Sequence, residues 1–180
     1  MVIKGEKVIL RPIRLSDAPR FVKWLRDPEV NKFTTRKSIL LKEEVRWIKS
    51  LKKKKDEVVF SVDVLGGPHI GSVSLGVDWG DRNALFGILI GDKEYWDKGL
   101  GSEATKLILD HAFKKLKMHK VSLGVFDYNK RAIKVYNRLG FKLEGASRDD
   151  IFYKNKFHDR LQMGILEKEW AKHKKRRVGK

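Results

Sequence analysis

Apolar and polar positions alternate or recur at helical spacing in separate blocks along the chain. Residues 7–12 predict a first strand, and Ser16-Asp17 then supplies a helix cap and first turn. Phe21, Val22, Trp24 and Leu25 form an apolar helix face that ends before Asp27-Pro28. A second helix is predicted near 41–53, with Val45, Ile48 and Leu51 on one side; residues 29–40 between the two read as irregular. Val58, Phe60, Val62 and Val64 alternate as a strand, broken by Gly66-Gly67-Pro68. Val73, Leu75, Val77 and Trp79 alternate again, Gly80-Asp81-Arg82-Asn83 predicts a hairpin turn, and Phe86–Ile90 gives the next strand.

After Gly91 the period changes. Ala104, Leu107, Ile108 and Ala112 predict a helix over 102–116, and Val121, Leu123 and Val125 a strand. Residues 130–139 predict a short helix ended by Gly140, with strands following near 142–151 and 156–166. The order β-α-α-β-β-β-α-β-α-β-β implies an α/β (α+β) fold, a mixed central sheet of about seven strands with helices on its faces. One domain over residues 1–171 accommodates all of it, with a basic, unstructured tail expected over 172–180.

Composition narrows the chemistry. The absence of cysteine excludes disulfides, thiolate metal sites and a cysteine nucleophile, and the five histidines show no ligand spacing, so no metal is expected. No apolar run approaches the roughly 20 residues that cross a bilayer, and the N-terminus lacks a signal-peptide core, so a soluble, cytoplasmic protein without membrane contact is expected. Lys and Arg number 41 against 23 Asp and Glu, a net +18, part of it in Lys52–Lys55 and in the tail from Lys172. Such an excess suits polyanions (nucleic acid, a ribosome surface or a phosphorylated cofactor), or else a solvated lysine-rich surface.

Gly99-Leu100-Gly101-Ser102-Glu103-Ala104 opens the helix after the fourth long strand. Glycines there admit a ligand close to the backbone, and the free amides and dipole of a helix start favour an anion. Three readings compete. Two glycines in three residues are more than a helix start needs. Gly99-x-Gly101-x-x-Ala104 fits a dinucleotide fingerprint, with Asp127 as the ribose acid. Against that reading, eight mostly polar residues separate Ile90 from Gly99, and the chain beyond Asn137 leaves no room for a second βαβ half. The third reading is a pyrophosphate loop, and a second motif supports it.

That motif is Asn129-x-x-Ala132-x-x-x-Tyr136-x-x-x-Gly140-Phe141. Asn129 is placed to cap a helix or bond a ligand, and Ala132, Val135, Tyr136 and Leu139 form a buried face. Gly140 falls at a left-handed helix terminus, which pairs Tyr136 with Phe141 across it. The two motifs together resemble those of the GNAT acetyltransferase superfamily, Q/R-x-x-G-x-G/A followed by N-x-x-A-x-x-x-Y-x-x-x-G-F. Trp96 stands at the Q/R position. The string Tyr95-Trp96-x-Lys98-Gly99-x-Gly101-x-Glu103-Ala104 is similar to that of the ribosomal-protein and polyamine (Rim-type) branch. Leu10-Arg11-Pro12, Ser16-Asp17-Ala18, Trp24-Leu25-x-Asp27-Pro28 and Met163–Trp170 extend the resemblance over nearly the whole chain.

The resemblance implies a mostly antiparallel GNAT sheet and acetyl-CoA as acetyl donor, attacked directly by a primary amine. It implies that Leu89 and Ile90 pair with the pantetheine arm, and that Trp96, Asp97, Lys98, Gly99, Leu100, Gly101 and Ser102 hold the pyrophosphate. Asn129 serves catalysis and cofactor alike, Lys134 (with Arg131) meets the other phosphates, and Tyr136 protonates the leaving thiolate. A family Glu, the usual general base, is replaced by Leu85; a water chain, Asp78 or His158 remains, or an amine of low pKa such as an α-amine. Three functions follow: acetylation of a protein N-terminus of ribosomal-protein type, acetylation of a polyamine or other small amine, or a non-enzymatic ribosome- or RNA-binding protein that retains acetyl-CoA. Residues 29–40 offer Glu29 against Lys32, Arg36 and Lys37, a poor cleft for a polyamine. A monomer or homodimer is expected.

Overall fold

The computed structural model describes residues 1–34 and 40–178, with side chains described up to residue 174. The central sheet has eight strands: β1 (Ile3–Lys4), β2 (Val8–Pro12), β3 (Glu57–Val64), β4 (His69–Asp78), β5 (Asn83–Ile90), β6 (Lys120–Phe126), β7 (Lys142–Tyr153) and β8 (Lys156–Leu166). Their order is β1-β2-β3-β4-β5-β6-β8-β7, and only β5 and β6 run parallel. The strand beyond the predicted seven is the two-residue β1, too short to leave an alternating pattern.

Alternation sets the two faces of this sheet. Phe60, Val73 and Ile88 stand side by side across β3, β4 and β5, as do Val58, Leu75 and Phe86. They meet α4 (Leu100–Asp110), whose Ala104, Ile108 and Leu109 are fully buried. Burying each of the larger two contributes about 1.5–3 kcal/mol. The opposite face carries small and polar positions (Ser61, Ser72, Ser74, Gly76, Gly87) beneath α1 (Ala18–Arg26) and α3 (Leu41–Leu51). As predicted, Phe21, Val22, Trp24 and Leu25 are buried. Between α1 and α3 a one-turn helix, α2 (Pro28–Asn31), replaces part of the expected irregular segment: the Asp27 side chain caps it through the Glu29 amide, with Pro28 at its first position. Thr35, Arg36 and Lys37 lie outside the described residues.

Two elements depart from the expected pattern. The helix predicted over 102–116 opens into a π turn over His111–Lys115, where the Leu116 amide reaches the His111 carbonyl. The expected unstructured tail is instead helical up to Val178, in α6 (Glu167–Val178). Trp170 is buried and donates to Asp110 at 2.7 Å, and Lys174 pairs with the same carboxylate at 2.5 Å. A lysine-rich run hides this docking because its apolar content is almost entirely Trp170. No described helix is long and apolar enough to cross a membrane.

β5 and β6 pair only from Asn83 to Leu85, then diverge, while β6 continues against β8 up to Phe126. The backbone edge of β5 from Phe86 to Ile90 is therefore unpaired on that side. The sheet splits there.

Candidate active site

A cleft of about 910 Å³ occupies the split. Its roof on the α4 side is the glycine turn together with α5 (Lys130–Leu139). Gly99 adopts φ +80°, a conformation open to glycine, and forms the N-cap of α4. The first helical bond runs from the Glu103 amide to the Gly99 carbonyl, which leaves the amides of Leu100, Gly101 and Ser102 without helix partners. At Gly101 a β-carbon would sit 3.4 Å from Ile90, so a larger side chain would crowd the cleft wall. Free amides, a dipole end and two bare glycines fit a pyrophosphate. Gly99→Ala is expected to destabilise the fold by about 1–2 kcal/mol through the left-handed backbone alone, and to weaken acetyl-CoA binding measured by calorimetry.

Trp96 donates its indole N–H to the Ile90 carbonyl at 2.7 Å, which pins the turn to the end of β5. The Arg131 guanidinium lies 4.0 Å over the indole and 3.5 Å from the Asp97 carboxylate. A cation thus stands over the turn although Trp96 replaces the family's Q/R. Leu89, Ile90, Trp96, Asp97, Gly99, Leu100, Gly101, Ser102, Asn129, Lys134 and Tyr136 all line the cleft. Lys98 does not: its ammonium rests over the Tyr95 ring, and only its backbone belongs to the turn.

Asn129 Oδ1 accepts from the Ala132 amide at 3.2 Å and caps α5. At the other end Gly140 takes φ +92°, and the Phe141 amide donates to the Tyr136 carbonyl at 3.1 Å. The helix-terminus half of the predicted Tyr136 environment is therefore present. Its ring packs against Phe141 and Phe86 at 5.7 and 6.3 Å, while the residue also lines the cleft. Burial pushes its phenol well above the ordinary value, so it keeps its proton.

On the acceptor side the cleft is lined by Phe21, Leu25, Val30, Phe33, Trp47 and the strand positions Val59, Ser72, Ser74, Leu85 and Gly87. Leu85 is more than half exposed into this space. The two proton acceptors suggested by sequence lie elsewhere. Asp78 caps the β4–β5 turn through the Gly80 and Asp81 amides. His158 pairs with Asp127 at 2.9 Å; that carboxyl, raised by burial, is held below its ordinary value by His158 and the Asp159 amide. Neither is among the cleft-lining residues. Glu57, at the start of β3, lines the cleft instead; sequence reading missed it because its partners in the site come from two other strands.

Also missed was a buried ionic network beneath the acceptor side. Arg11 donates Nε to Asp63 at 2.6 Å and both terminal nitrogens to Asp17 at 2.8 and 2.9 Å. Asp17 further accepts from the Arg14 amide and the Ser61 hydroxyl, each at 2.8 Å. Burial pushes the Asp17 carboxyl up, but these donors outweigh it and hold it at about 2. Leu10-Arg11-Pro12 and Ser16-Asp17-Ala18 are thus the ends of one clamp that fixes α1 against β2 and β3.

A split mixed sheet, with a phosphate-type turn and a capped helix roofing the gap, offers a site for a phosphorylated donor. Residues 7–142 match the Acetyltransferase (GNAT) domain family, and the chain belongs to it. Acetyl-CoA is the acetyl donor used by acetyltransferases of that family. The chain is 36% identical over 94 residues to "Spermidine N(1)-acetyltransferase" of Escherichia coli K12, covering 52% of this chain and 50% of that one. It is 30% identical over 105 residues to "Putative ribosomal N-acetyltransferase YdaF" of Bacillus subtilis, covering 58% and 57%. The matches therefore span about half the length of these curated relatives. The spermidine N-acetyltransferase from Vibrio cholerae, solved with CoA and spermine, superposes with a TM-score of 0.85 at 24% identity over 93% of this chain and 99% of that one, a likeness of fold.

Proposed function

We propose that this chain is an acetyl-CoA-dependent N-acetyltransferase that acts in the cytoplasm on the α-amine of a protein N-terminus, the ribosomal-protein type of acceptor. The donor supplies an activated thioester; the chain supplies its cradle, a proton donor and an acceptor groove. The amides of Leu100, Gly101 and Ser102, with Arg131 and Lys134, would hold the phosphates, and the open edge of β5 near Leu89 and Ile90 would align the arm. Tyr136 would meet the departing sulfur.

One observation carries the choice of acceptor. Glu57 is the sole carboxylate among the described residues lining the acceptor side of the main cleft, Asp56 bordering only a recess beside it, and Arg160 lines the same cleft. A polyamine brings several ammonium groups, each needing a carboxylate once water is excluded. A peptide N-terminus brings one charge, then amide groups and side chains that suit Ser72, Ser74 and the aromatic wall. The net +18 favours docking on polyanionic ribosomal material. The polyamine reading keeps one support, the 36% match to a spermidine enzyme. Thiol release from acetyl-CoA, compared between α-amino peptides and spermidine, separates the two. The peptides are expected to show kcat/KM at least about tenfold higher; the reverse order would overturn the assignment.

A further inference from the structure

Glu57, Gly76 and Leu85 stand side by side on β3, β4 and β5, and all face the acceptor side. Strand spacing places the Glu57 and Leu85 backbones about 10 Å apart. Gly76 leaves the space between them open: a β-carbon there would meet only Leu85 Cβ, at 3.9 Å. The result is a trough of about 290 Å³, bordered by Asp56, Glu57, Ser74, Gly76, Leu85 and Gly87. It is continuous with the main cleft, since Glu57, Ser74, Leu85 and Gly87 line both. Several waters fit in that volume, against carboxylate, hydroxyl and backbone partners. At the far end the Ser74 hydroxyl leans over Gly87, where a β-carbon would come within 2.8 Å of it. Gly87 belongs to the unpaired edge of β5. The trough thus leads from that edge, past Ser74 and across Gly76, to Glu57, whose carboxylate lies 2.6 Å from the Lys54 ammonium.

We infer that Glu57 is the proton acceptor for the attacking amine, reached through trough water and the Ser74 hydroxyl, and that it replaces the carboxylate missing at Leu85. The inference rests on the N-acetyltransferase reading above. The acceptor ammonium loses one proton along this path to Glu57. The nitrogen lone pair then forms the N–C bond to the acetyl carbon, the C–S bond breaks, and the thiolate takes a proton from Tyr136. The acylated nitrogen gives up its second proton, which restores Tyr136 by way of solvent, and Glu57 returns its own proton to solvent, so the cycle closes.

The test is Glu57→Gln, assayed on an α-amino peptide beside the unaltered protein. Near neutral pH kcat is expected to fall about 100-fold, with KM and the acetyl-CoA Kd within about twofold. The deficit should shrink as pH rises past the amine pKa, because the free amine then needs no base. Ser74→Ala, which leaves the ion pair with Lys54 intact, should lower kcat about tenfold with the same pH trend. A Glu57→Gln kcat within twofold, a loss confined to KM, or a loss independent of pH would each overturn the assignment. If the unaltered protein binds acetyl-CoA but turns over neither peptide nor spermidine, the parent reading falls, and this inference with it.

Discussion

Tyr136→Phe is expected to lower kcat for acetyl transfer by about 100-fold or more while leaving the fold and the acetyl-CoA affinity in place. The ring alone accounts for the packing, since phenylalanine fills the same space between Phe86 and Phe141. The hydroxyl makes no hydrogen bond among the described residues, so its removal strands no buried partner and costs the fold little. What is lost is the O–H that would meet the departing sulfur at a buried position, where one donor to a developing charge is worth several kcal/mol. Burial raises the phenol above its ordinary value, so it stays protonated throughout the working range. The Tyr136→Phe deficit should therefore be flat with pH, whereas that of Glu57→Gln shrinks on the alkaline side. Parallel kcat–pH profiles of the two variants read the difference directly, and an unchanged rate removes Tyr136 as the acid.

Asp17→Ala should cost about 3 kcal/mol of stability, because it leaves the largely buried Arg11 guanidinium with Asp63 as its one remaining carboxylate. For a chain of this length that lowers Tm by roughly 6–12 °C. Stability should also depend on acid in a specific direction. The Asp17 carboxyl titrates at about 2 in the folded state against an ordinary 3.8, so its contribution is complete above pH 4 and disappears as pH falls from there towards 2. That window is worth about 2 kcal/mol. His69, lowered by burial despite Asp17 at 3.6 Å, adds a loss that begins as pH falls below about 6.5, where the unfolded chain takes up a proton that the folded one resists. Urea titrations from pH 7 down to 3 should show both losses, and Asp17→Ala should lack the lower one.

The local parts of this architecture were written plainly in the chain. The helix from Lys130 to Leu139, with its Asn129 cap and Gly140 terminus, follows from spacing alone, because every partner lies within a few residues. The same holds for the left-handed Gly99 and the alternating strands. What sequence did not reveal was assembled from distant positions. Arg11, Asp17, Ser61 and Asp63 meet only once β2, β3 and α1 are packed, and Glu57 reaches the cleft only through the register of three strands. Asp78 and His158 carry the right chemistry but point it at a turn and at Asp127. The helical tail was hidden for a related reason: one tryptophan and one lysine share Asp110, which lies some 60 residues earlier in the chain.

The central claim is direct transfer of an acetyl group from acetyl-CoA to a primary amine. Mass analysis of a single-turnover mixture of the protein, acetyl-CoA and an α-amino peptide tests it most directly. One acetyl group on the peptide α-nitrogen, an equivalent of free thiol and an unmodified protein are the predicted result. Bound acetyl-CoA with no acetylated amine, or an acetyl group retained on the protein, would contradict it.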